Sequence, residues 1–143
     1  MLSVALKTRL RSVKDICTAS MALVGLRTLE DSLNTIFGFL TVNHLYEEEA
    51  ILPFIKRKSK DLRLLVQSAS EDNRVGKECM LKASSLLIDL RMAPLVTPES
   101  MKELIDAVYH ALSIELHRLY KQKQIFQLVY QLSTYDEQAR LLR

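Results

Sequence analysis

No tryptophan stands anywhere in the 143 residues, glycine and proline number three each, and cysteine two. Each scarcity excludes something. So few turn formers mean few turns, which argues against many short strands and for long helices joined by short loops. Cys17 and Cys79 show neither metal spacing nor a disulfide framework, which points to a reducing compartment. The glycines, Gly25, Gly38 and Gly76, are too far apart to build a phosphate-cradling loop. No run of about 18 apolar residues occurs, so nothing here should span a bilayer, and there is no secretory hydrophobic region. The net charge of +3, from 20 basic and 17 acidic residues, is too even for a dedicated nucleic-acid binder. The one dense basic run, Lys56-Arg57-Lys58-Ser59-Lys60, falls at an expected corner, where positive charge complements a helix C-terminus. These exclusions predict a cytoplasmic protein.

What is present is apolar material: 48% of residues are hydrophobic, ample for the core of one domain. The opening "MLSVALKTRLRSVK" is basic and amphipathic, as a transit peptide or a first helix would be; a helix is the favoured reading. Leu6, Leu10, Val13, Cys17, Met21 and Val24 recur at helical steps, with Gly25 as a natural stop. Thr28 and Asp31 suit the start of a second helix. Its stripe is Leu33, Phe37, Leu40, His44, Glu48, Ile51 and Ile55, and Pro53 should end or kink it.

A third helix is expected from near Ser59–Asp61 to about Leu90, with the polar stretch "SASEDNRVG" as a candidate break. "MAPLVTPES" reads as a loop in which Thr97 caps a fourth helix and Pro98 is its first residue. That helix runs through Met101, Leu104, Val108, Leu112, Glu115 and Leu119 to about residue 132. The fold class is therefore all-α: an up-down-up-down four-helix bundle with a C-terminal extension of the fourth helix. Residues 1–133 form the bundle and 134–143 a tail.

Polar residues interrupt these stripes. Rotating about 100° per residue puts His44 at the centre of its stripe and Glu48 about 40° away. The same rotation puts Asp72 and Glu115 on the apolar faces of the third and fourth helices, with His110 and His117 pointing away. Antiparallel registers set His44 level with Asp72 or Asn73, and Asp72 level with Glu115. Buried carboxylates are costly unless paired, protonated or bound to a cation. One reading is a metal site of His44, Glu48, Asp72 and Glu115, an oxygen-rich set suited to iron or a similar divalent ion. The other is a hydrogen-bonded polar layer, with His44 bonded to Asp72 and Glu48 paired with Lys7 or Arg11.

At these residues the chain resembles the hemerythrin-like, or HHE cation-binding, domains. The segment "FGFLTVNHLYEEEAILPFI" carries that family's second-helix pattern: His44-x-x-x-Glu48, Glu49 beside it, then Leu52-Pro53-Phe54. "YHALSIELHRLY" offers His110 and Glu115 for the fourth helix, with Ile114 where a glutamate is commoner. The likeness is close over about 25 residues. It implies a four-helix bundle built around metal. The family's histidines on the first and third helices have no counterpart, because none precedes His44 and because Asp72 and Gly76 stand at the third-helix spacing. The resemblance thus implies one of two things: a reduced iron or divalent-metal site used in sensing or storage, or a bundle that kept the shape without the metal.

Catalysis finds no constellation. Cys17 and Cys79 lie on core stripes, where a cysteine behaves as a small hydrophobe. The end of the fourth helix, "LHRLYKQKQIFQLVYQLSTY", is expected either to break near Gln122–Gln124 and fold back on the bundle or to overhang its partners by about ten to fifteen residues. Tyr120, Ile125, Phe126, Val129 and Tyr130 are then candidates to contact a protein partner or a second copy. The favoured expectation is a non-enzymatic regulatory or adaptor protein with a degenerate or lost metal site.

Overall fold

The computed structural model describes residues 23–141. Among them no strand occurs. In chain order they form α1 (Leu23–Tyr46), a π turn (Glu47–Ile51), α2 (Leu52–Lys58), a 3-10 turn (Lys60–Leu62), α3 (Arg63–Met92), α4 (Pro98–Leu132) and α5 (Tyr135–Leu141). The first helix expected from the sequence lies almost wholly outside the described residues, as does Cys17.

α1 neither stops at Gly25 nor begins at Thr28. Leu26, Leu29 and Leu33 are buried at the helical steps that continue into Phe37 and Leu40. Burying each such side chain is worth roughly 1.5–3 kcal/mol, against about 1 kcal/mol for a helical glycine. Pro53 does not end the run either. The chain first widens to a five-residue hydrogen bond, from the Leu52 N–H to the Glu47 carbonyl. Pro53 then falls in the first turn of α2, where its missing donor and fixed φ are tolerated. Among the described residues the helical path is therefore continuous from 23 to 58.

It ends at the basic run as expected, with Ser59 extended at φ −149° and ψ 118°. α3 is unbroken through "SASEDNRVG", because Ala69, Asn73, Gly76 and Met80 are all buried along one stripe. At the start of α4 the Thr97 hydroxyl accepts from the Ser100 N–H at 3.1 Å, and the Ser100 hydroxyl accepts from the Thr97 N–H at 3.0 Å. This reciprocal cap fixes the helix start at Pro98.

Cross-helix pairs give the directions. Glu30 meets Arg91 at 2.5 Å and Glu48 meets Lys77 at 2.7 Å, so α1 and α3 are antiparallel. Asp72 meets Lys121 at 3.0 Å, while Gly76 lies against Glu115, so α3 and α4 are antiparallel too. α1 and α4 thus point the same way.

Two apolar clusters fill the interior. The larger includes Leu26–Leu40 of α1, Met80–Leu90 of α3 and Met101–Leu119 of α4. The smaller joins Ile51, Leu52, Phe54 and Ile55 to Ala69, Ile125 and Val129. The fourth helix therefore does not overhang over its last turns. Ile125 and Val129, expected on a contact surface, are core residues at 5% and 6% exposure, because α2 carries the second helical run past Pro53 to cover them. Residues beyond Leu132 fold back as α5. The Tyr46 hydroxyl donates to the Leu141 carbonyl at 2.8 Å, and Lys58 pairs with Glu137 at 2.6 Å.

Candidate functional site

Between the two apolar clusters lies a layer of buried polar side chains. α1 and the π turn supply Asn43, His44 and Glu47; α3 supplies Asn73; α4 supplies Glu115, Arg118 and Gln122. His44, Asn73 and Glu115 have no solvent exposure, and Glu47, Arg118 and Gln122 are at 4% or less. His44, Glu47 and Ile51 follow one another at helical steps, as do Glu115, Arg118 and Gln122. Sequence periodicity alone thus carries polar groups into the same stripes that hold the leucines.

Arg118 is the hub. Its Nε donates to Glu115 Oε2 at 2.7 Å, its Nη2 to Asn43 Oδ1 at 2.8 Å, and its Nη1 to Glu47 Oε2 at 3.3 Å. A longer contact of 3.5 Å reaches Asn73 Oδ1. Gln122 closes the outer side, donating to Glu47 Oε2 at 2.5 Å and exchanging amide bonds with Asn43 at 3.0 and 3.1 Å. On the other side His44 Nε2 meets Glu115 Oε1 at 2.5 Å. Each carboxylate therefore has two or more partners, and one guanidinium serves both. Burial pushes the Glu47 carboxyl above its ordinary value of 4.5; the Gln122 hydrogen bond and then the Arg118 charge pull the other way.

Gly76 makes room for this layer. A Cβ there would overlap Glu115 Oε1 and lie 3.2 Å from His44 Cε1. Only a residue without a side chain lets α3 close over the His44–Glu115 pair.

Of the four residues expected to converge, two do: His44 and Glu115. Glu48 turns outward instead and holds Lys77 Nζ at 2.7 and 2.8 Å. Asp72 sits at the rim and accepts from Lys121. Their places in the interior are taken by their neighbours Glu47 and Asn73. The expected pairing of His44 with Asp72 is replaced by the His44–Glu115 bond; Glu48 bonds Lys77, and its expected partners Lys7 and Arg11 lie outside the described residues. His110 and His117 are exposed, as their angles require. Arg118, Asn43 and Gln122 carried no signal beyond the three- and four-residue spacing that links Arg118 to Glu115 and to Gln122.

These donors do not fit a metal centre. Among the described residues no three His, Cys, Asp or Glu side chains gather in a way that could hold an ion. His44 Nε2 and both carboxylates face protein partners, and the positive charge between the carboxylates is a guanidinium. Two buried atoms, His44 Nδ1 and Asn73 Nδ2, have no hydrogen-bond partner among the described residues. Cys79 is partly buried against the larger cluster, and that burial pushes its thiol above the ordinary range.

Of the five expected contact residues, Tyr120, Phe126 and Tyr130 are exposed, at 65%, 39% and 69%. Phe126 packs edge-on against Tyr46. Beside Phe126 and Tyr130 a shallow cavity of about 300 Å³ is lined mainly by Tyr46, Ile51, Phe126, Val129, Tyr130 and Leu141. No helix among the described residues is long and apolar enough to cross a membrane. No known family, no curated protein and no solved structure matches the chain.

Proposed function

We propose that this chain is a metal-free helical adaptor or regulatory protein of hemerythrin-like, four-helix up-down-up-down design. The observation that carries the reading is the position of Arg118. A guanidinium sits between Glu47 and Glu115, where a divalent cation would have to bind, and its donors are spent on groups that would otherwise be ligands. An interior neutralised in this way holds the bundle together and has no open position for chemistry. Function then falls to the surface. The exposed aromatic rim of Phe126 and Tyr130, with its apolar cavity, suits the apolar face of a partner helix.

Two measurements test this. Elemental analysis of protein purified without chelator should find less than about one-tenth of an equivalent of any transition metal. Near-stoichiometric iron that disappears in a His44→Ala/Glu115→Ala variant would establish the metal-binding alternative instead. On the surface, Phe126→Glu/Tyr130→Glu should abolish partner capture at an unchanged melting temperature. Capture that survives in the folded variant would remove the rim from the account.

A further inference from the structure

The outward side of α1 raises a separate question. From Ser32 to Tyr46, "SLNTIFGFLTVNHLY", the helix carries no Asp, Glu, Lys or Arg. Its inward stripe is buried, yet Phe39, Val42 and Leu45 on the other side remain 56%, 67% and 50% exposed. A helix that is apolar on both sides is normally covered on both.

Gly38 points to what covers it. Gly38 lies on the exposed side, and a Cβ built there meets nothing within 4 Å. Nothing described in its own chain therefore requires a glycine, which costs a helix interior about 1 kcal/mol relative to alanine. The contrast with Gly76, whose Cβ would strike Glu115, is direct. A glycine amid exposed Phe and Val is what a second helix needs in order to approach closely.

The charges select the partner and its direction. Arg27 and Glu49 stand eleven residues before and eleven residues after Gly38. Eleven residues are close to three turns, so both return to the Gly38 side, and both are exposed. Neither has an ion-pair partner among the described residues, whereas the neighbouring Glu30 and Glu48 are paired across to α3. When two copies of α1 cross antiparallel at Gly38, Arg27 of each meets Glu49 of the other. The two-fold axis makes the ion pair twice.

We propose that the Gly38 face of α1 is a self-association surface, on which a second copy of this chain packs antiparallel. Phe39 and Val42 fill the space on either side of the glycine contact, and the Arg27–Glu49 pairs fix the register. This surface is independent of the polar interior and of the Phe126 rim.

Light scattering or sedimentation of the full chain at about 100 µM tests it, a concentration suited to an interface of modest size. The mass should be twice the 16.4 kDa of one chain. Val42→Glu should return it to one chain with the helical circular dichroism unchanged. Arg27→Glu alone and Glu49→Arg alone should each weaken the dimer about tenfold, and the double variant should restore it. A wild-type mass of one chain overturns the proposal. So does loss of helicity in Val42→Glu, which would mean that the same chain covers this face. A double swap that restores nothing overturns the antiparallel pairing.

Discussion

Replacing Arg118 with methionine keeps most of the side-chain length and removes every donor. The structure says what is stranded: Glu115 Oε2, Glu47 Oε2 and Asn43 Oδ1 lose bonds of 2.7, 3.3 and 2.8 Å, all within a layer that excludes solvent. Breaking a buried ion pair from one side costs about 3–5 kcal/mol, because the remaining charge stays buried without its counterion. A domain of this size has about 5–15 kcal/mol in total. At about 3–4 °C per kcal/mol the melting temperature should fall by about 10–20 °C. Thermal and urea unfolding followed by circular dichroism measure both quantities.

A second substitution separates charge from packing. In the Arg118→Met background, Glu47→Gln removes one of the two stranded carboxylates and should recover about 1–3 kcal/mol. If Arg118→Met instead melts within about 2 °C of the wild type, the guanidinium does not hold the layer together and the reasoning fails.

Other consequences follow from the same structure. The Glu47 carboxyl is raised by burial above its ordinary 4.5, so the folded state favours its protonated form. Its contribution to stability is full below that value and is lost as the pH rises through the folded-state value. Glu47→Gln, which keeps an oxygen for Gln122 to bond, should therefore gain on the wild type in melting temperature as pH is raised from about 4 to about 8. Gly76→Ala should cost about 1–3 kcal/mol in urea unfolding, since the new methyl must displace the Glu115 carboxylate. Thr97→Ala should cost about 1 kcal/mol in the same assay by removing the cap on the Ser100 N–H.

The helices were legible in the sequence because periodicity and caps agree: Thr97 and Pro98 mark the start of α4, and the scarcity of glycine and proline marks the class. The start of the second helical run and the effect of Pro53 within it were misread for one reason. Gly25 and Pro53 are strong local signals, and packing of Leu26, Leu29, Phe54 and Ile55 overrode them. Ile125 and Val129 looked like surface because the fourth helix was counted as outrunning its partners, whereas Ile51, Phe54 and Ile55 cover its last turns.

The site was legible at its centre. His44 and Glu115 sit mid-stripe, where a modest angular error still leaves them inside. Glu48 and Asp72 sit near stripe edges, where the choice between a residue and its neighbour depends on what faces it. Lys77 and Lys121, on other helices, draw those two carboxylates outward, while Arg118 holds Glu47 inward. Arg118 itself stayed invisible because a single arginine in "LHRLYKQKQ" looks like any solvated charge. Its partners become apparent only once three helices are brought together.

The most direct test of the central claim, that Arg118 and not a metal balances the buried carboxylates, is the melting temperature of the full chain before and after exhaustive chelation. A bound ion present at about 100 times its dissociation constant would stabilise the fold by about 2.7 kcal/mol, or several degrees. The account predicts curves that superimpose within about 1 °C and no response when iron, manganese or zinc is added back. A drop of more than about 5 °C on chelation, restored by one of those ions, would contradict it.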